Sequence, residues 1–172
     1  MLGQVDHYTA PTVWRIASWS LPLPRLGPRP RTTDFVPHRQ LDQWPPRHIV
    51  EQLCHRALGL PHVYARESRM ASPETRALSL RNEFVHGPDD AFIDGPEFCH
   101  LHPPPEGGVH LTLPSALRQL IVQIGWGEEH PMVRAGILPK SLVMIYAPRD
   151  EPELNVVARL IAIARDFAAG DF

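Results

Sequence analysis

His100, His102 and His110 are the residues best placed to do chemistry in this chain, because they fall on two short apolar runs, 98–102 and 109–113, that flank a loop rich in proline and glycine. Side chains alternate across a strand. Phe98, His100 and His102 are therefore expected on one face, with Cys99 and Leu101 on the other. On the returning strand His110 and Thr112 share the histidine face, opposite Val109, Leu111 and Leu113. A register that pairs His110 with His102, or with His100, brings the Cβ atoms to about 5 Å. That suits two imidazoles working on one ligand, or a shared metal ion. A neutral histidine has its ordinary pKa near 6.5 and is a suitable general base, while a second histidine or an arginine holds the oxyanion that results. The spacing of His100, His102 and Glu106 also suits a stretch in which two histidines and a glutamate meet one ion. Pro103, Pro104 and Pro105 interrupt it, and a barrel built around such a stretch needs more strands than the chain offers. No cofactor is therefore expected, and one divalent metal at His100, His102 and His110, with or without Glu106, stands as the alternative.

The elements that must position this hairpin can be read on either side of it. Apolar residues at helical spacing, Ile49, Val50, Leu53, Cys54, Ala57 and Leu58, mark a helix from Pro46 that Gly59 and Pro61 stop. Residues 63–70 and 77–81 read as strands joined by a turn at 71–74, with Leu78 and Leu80 on one face and Ser79 and Arg81 on the other. Residues 83–97 read as loop, with at most a short strand at 92–94. Pro114 opens a helix that runs to Ile124, and Gly125 ends it; Glu128-Glu129-His130-Pro131 then reads as a turn. Residues 142–147 are apolar without alternation, the pattern of a central strand covered on both faces. Asp150 caps the last helix while Glu153, three positions on, is expected to reach back to the cap amide.

These elements give an α+β fold: a mainly antiparallel sheet with about three helices packed on one face and the other face open for a site. Residues 1–30 form an extended Pro-rich leader and 31–172 a single domain. The leader and the segment after it hold Pro11, Pro22, Pro24, Pro28, Pro30, Pro37, Pro45 and Pro46, which deny a helix or a central strand its amide protons. Its apolar Trp14, Ile16, Trp19, Leu21 and Leu23 are expected to pack on this chain or, exchanged between copies, to join a homodimer.

Composition narrows the partner to a small organic molecule. The 172 residues carry a net charge of −2 with a pI near 6.5, which offers no electrostatic grip on nucleic acid or an anionic membrane. Cys54 and Cys99 lack zinc or redox spacing and read as reduced, buried thiols. The early apolar stretch 13–23 is broken by Arg15 and Pro22, so neither a signal peptide nor a membrane span is read, and a cytoplasmic location is expected.

Taken together, the string HLHPPPEGGVHLTLP at 100–114, Gly125-Trp126-Gly127, Glu129-His130-Pro131, Tyr146-Ala147-Pro148-Arg149-Asp150 and the earlier Pro37-His38-Arg39-Gln40-Leu41-Asp42 resemble the luciferase-like domain family, over residues 28 to 168. The chain departs from the family's Asp-Gly-Ser loop before His110, having Glu106-Gly107-Gly108. The resemblance implies that fungal relatives oxidise a hydroxylated pyrone with molecular oxygen, without flavin or haem. It also implies catalytic positions at His100, His102, His110, His130 and Arg149, with His38 as a neighbour. Arg149 either holds an anion at a helix N-terminus or only supports the turn. His38, Arg81, Trp126 and Tyr146 are substrate-binding candidates, with a surface ion pair for Arg81 and core packing for the two aromatics as the alternatives. Three functions follow: cofactor-independent oxygenation on a natural-product-like substrate, a cyclase or isomerase of secondary metabolism using the same acid–base groups, or a non-catalytic ligand-binding domain.

Overall fold

The computed structural model describes residues 15–16 and 19–171. Trp14 and the side chains of Ile16 and Trp19, on which the packed or exchanged leader was to rest, lie outside the described residues.

Six strands form one antiparallel sheet: β1 (Val63–Glu67), β2 (Arg76–Leu80), β3 (Glu97–Leu101), β4 (Val109–Thr112), β5 (Gly127–Glu129) and β6 (Leu142–Ile145), in the order β1-β2-β3-β4-β6-β5. Among the described residues four α-helices accompany it: α1 (Arg47–Leu58), α2 (Ser115–Gln123), the single turn α3 (Pro131–Arg134) and α4 (Glu151–Ala169). The expected α+β class and antiparallel sheet are borne out. Residues 142–145 pair on both edges, as their unbroken apolar pattern requires.

One sheet face carries the apolar core. Leu78, Leu80, Val109, Leu111, Val143 and Ile145 meet Ile49 and Leu53 of α1, Leu117 and Ile121 of α2, and Leu154, Val157 and Ile161 of α4. Each such side chain withdrawn from water stabilises the fold by about 2 kcal/mol. The helix α4 starts where Asp150 accepts the Glu153 amide at 2.9 Å. The reciprocal half of the cap differs from expectation, because Glu153 accepts the amide of Arg149, one residue earlier, at 2.9 Å.

Three local readings are corrected. No strand forms at 92–94; a 3-10 turn occupies Asp89–Ala91 and only an isolated bridge joins Asp94 to Glu97. The turn expected at 128–131 is instead the edge strand β5 followed by α3. The first strand stops at Glu67 rather than Met70.

The fourth correction shapes the site. Between β2 and β3 the register slips, Leu78 pairing with Cys99 but Ser79 with Glu97, so Phe98 is an extra residue on β3. A bulge of this kind reverses side-chain parity along its strand. Phe98 therefore leaves the histidine face for the apolar core, and Glu97 takes its place.

Candidate functional site: a buried histidine array

Cross-strand partners share a face, and a single row, Ala77, His100, His110, Met144 and Glu128, runs across β2, β3, β4, β6 and β5. The hairpin adopts the register that pairs His100 with His110, one of the two anticipated. The small Ala77 beside His100 leaves room for the ring. The expected open face, however, is roofed. Residues 36–39 cross it, the β1–β2 turn flanks it, and the segment from His130 to Leu138 closes another side. What remains is a cavity of about 520 Å³ lined by His38, His100, His102, His110 and His130 together with Arg39, Glu106, Met70, Ile93 and Leu142. Its size is that of a small-molecule pocket.

The five rings form one connected group, and three of them meet carboxylates. His100 Nδ1 lies 2.8 Å from Glu97 Oε1, His102 Nδ1 lies 3.1 Å from Glu106 Oε2, and His38 Nε2 lies 2.7 Å from Glu128 Oε1. A carboxylate only accepts, so the facing nitrogen of each ring carries the proton and the other nitrogen keeps its lone pair. Those lone pairs converge on His110. Its Nδ1 sits 2.9 Å from His100 Nε2 and 3.1 Å from His102 Nε2, while its Nε2 sits 3.2 Å from His38 Nδ1. His130 is set differently. Its Nδ1 accepts the Met132 amide at 3.1 Å and caps α3, which leaves the proton on Nε2; its ring meets those of His38 and His110 edge-on at 5.0 Å and 4.9 Å between centroids.

The carboxylates are anchored in turn. Ser68 donates to Glu97 at 3.0 Å, Arg39 donates through Nε to Glu106 at 2.6 Å, and the Tyr146 hydroxyl donates to Glu128 at 2.9 Å. Burial pushes the Glu106 carboxyl up, but hydrogen bonds from His102 and Arg39 outweigh it and the net direction is down. Glu128 behaves alike through His38, Thr32 and Tyr146. Burial, with Glu128 adding to it, raises the Tyr146 phenol to about 12.

Burial drives His100, His110 and His130 below the ordinary histidine range, neighbouring rings adding to the effect, and holds His130 at about 4. In the unfolded chain these rings titrate near 6.5, so the unfolded state binds more protons and stability falls as the pH drops. The loss begins below about 6.5 and continues towards about 4 for His130. Each ring contributes up to about 1.4 kcal/mol per pH unit within its window. Urea midpoints should thus be level from about pH 8 to 7 and fall steeply by about pH 5; level midpoints down to pH 5 would contradict the neutral array.

The other candidates fall elsewhere. Arg149 donates to Glu153 and to the Leu26 carbonyl and does not line the cavity. It supports the turn into α4. Arg81 is exposed at the end of β2, and Trp126 belongs to the apolar core with its indole donating to Leu23. Tyr146 reaches the array only through Glu128. Glu97, Glu128, Arg39 and Ser68 were not singled out from sequence. Glu97 is hidden by the bulge, which depends on β2, and Glu128 lies on a strand of three residues, too short to show a period.

A histidine-lined cavity on an antiparallel α+β sheet therefore defines this protein structurally. Residues 95–164 match the family model described as Luciferase domain, a stretch that carries Glu97, His100, His102, Glu106, His110, Glu128 and His130. The chain is similar to the luciferases of Armillaria gallica and Armillaria mellea, 30% identical to each over 165 residues covering 86% of this chain and 61% of theirs. To the luciferase of Neonothopanus nambi it is 23% identical over 175 residues, covering 89% and 63%. The chain thus spans about three fifths of the length of these relatives. The resemblance to the luciferase-like domain family is borne out. No solved structure matches. No helix among the described residues is long and apolar enough to cross a membrane.

Proposed function

We propose that the protein is a small-molecule enzyme in which the histidine array ionises an enolisable, oxygen-bearing organic substrate that then reacts with molecular oxygen. The observation that carries this reading is the position of His110 between rings whose near nitrogens hold lone pairs and whose far nitrogens are backed by Glu97, Glu106 and Glu128. Such an array is neutral and holds lone pairs that can accept a proton. A proton taken from a substrate hydroxyl is shared along it, as a histidine between a donor and a carboxylate shares one in general base catalysis. The enolate left behind passes one electron to oxygen, and recombination of the two radicals forms the new carbon–oxygen bond without a redox cofactor. The similar fungal proteins are luciferases, which agrees with an oxygenation; light emission is no part of the proposal.

An oxygen electrode with a panel of hydroxylated pyrones tests it. Wild-type protein should accelerate oxygen uptake, and His102→Ala should fall by about 10²-fold or more, the usual contribution of a positioned base. Products of unchanged mass without oxygen uptake would instead establish the cyclase or isomerase reading. Binding with no turnover would establish a ligand-binding domain.

A further inference from the structure

We propose that His100 Nε2, His102 Nε2 and His110 Nδ1 form a binding site for one divalent first-row transition metal ion, its open position facing the cavity. These ring nitrogens belong to a group of buried donors lying within 4.8 Å of one another, and His110 Nδ1 is only 2.9 Å and 3.1 Å from the other two. Metal–nitrogen bonds of about 2.0–2.1 Å place neighbouring ligand nitrogens roughly 3 Å apart. The two sides that meet at His110 Nδ1 have that size.

Hydrogen bonding alone leaves the array incomplete. His100 and His102 donate through Nδ1 to Glu97 and Glu106, so both present lone pairs to His110 Nδ1. If that nitrogen is protonated, one N–H faces two acceptors, and His110 Nε2 then turns a lone pair towards the lone pair on His38 Nδ1. If the proton is on Nε2, it satisfies His38, and three lone pairs meet at the triangle. A cation in the triangle resolves every contact in the second arrangement. His110 Nε2–H donates to His38, His38 Nε2–H donates to Glu128, and each ligand has the outer partner that ordinarily orients a metal-bound imidazole.

A second group, His38, His110 and His130, has similar spacing but the wrong protons. His130 spends its Nδ1 lone pair on the Met132 amide, which leaves Nε2 protonated and unable to ligate. The tautomers thus select one of two overlapping triads. Three neutral imidazoles suit zinc, iron(II), cobalt(II) or nickel(II), and three protein ligands with an open fourth position are the arrangement of catalytic rather than structural sites. An ion there lowers the pKa of a bound water or enol hydroxyl, which strengthens the ionisation proposed above. The site concerns the same histidines but stands without that substrate, since metal content is measured whether or not any pyrone turns over.

The test uses the untagged protein of all 172 residues, stripped with chelator and titrated with Co²⁺ alone. Wild-type protein should take up about one equivalent, develop the visible absorption of low-symmetry Co²⁺ with nitrogen ligands, and melt at a higher temperature in its presence. His100→Ala and His102→Ala should retain less than about a tenth of an equivalent. Two comparison variants, His130→Ala and the exposed-surface His48→Ala, should keep the ion. Circular dichroism on each variant separates lost ligands from lost fold, and His102→Gln replaces any alanine variant that does not fold. Wild-type protein that takes up no Co²⁺ overturns the site, as does a stoichiometry lost in His130→Ala but kept in His100→Ala.

Discussion

His110→Ala should lower turnover by between about 10² and 10⁴-fold, the range lost when a positioned acid–base group is removed, while leaving a folded protein. His110 is the only ring of the array whose two nitrogens both face other histidines, Nδ1 towards His100 and His102 and Nε2 towards His38. Its loss therefore disconnects the Glu97 and Glu106 side of the array from the Glu128 side. Stability should change less than activity. The removed contacts include at least one lone-pair opposition whenever no cation is present, which offsets part of the penalty of about 1–3 kcal/mol for leaving buried polar groups without partners. Steady-state oxygen uptake beside a melting curve reads both effects. A variant that retains more than about a tenth of wild-type turnover would remove His110 from the centre of the chemistry.

Gly127→Ala should destabilise by about 3 kcal/mol or more, the upper end for overpacking, although it adds one methyl group. A Cβ at Gly127 would lie 2.1 Å from the Met144 carbonyl oxygen and 3.1 Å from its carbon, and a backbone carbonyl in a sheet interior has nowhere to go. β5 must shift away from β6, which breaks their pairing and withdraws Glu128 from His38. Gly136→Ala is the informative comparison. Its φ of +72° strains any side chain but nothing stands within 4 Å of the added atom, so a loss of only about 1 kcal/mol is expected. Urea midpoints of the two variants separate lack of space from backbone strain. Equal losses would show that crowding at β5 does not decide the matter.

Much of this architecture is legible locally because the signals are local. The helical spacing of Ile49, Leu53 and Ala57, the unbroken apolar run of β6 and the Asp150 cap each depend on residues a few positions apart, and all formed as expected save that β6 ends at Ile145, two residues short of the apolar run. The same pleat places His100 and His110 on one face of a hairpin. Short elements escaped for the opposite reason. β5 has three residues and α3 four, less than the length over which a period is defined.

That histidines gather on a hairpin is readable from the residues alone, since alternation follows from the geometry of each strand. What surrounds them comes from the packing of segments far apart in the chain. The bulge that sends Phe98 into the core and brings Glu97 to His100 arises from pairing with β2, and residues 36–39 reach the array across a sequence separation of 72 positions to His110 and 90 to Glu128. The proton positions, and with them the choice between two overlapping triads, depend on those distant carboxylates and on the Met132 amide, because an imidazole's tautomer is set by the partner of its other nitrogen.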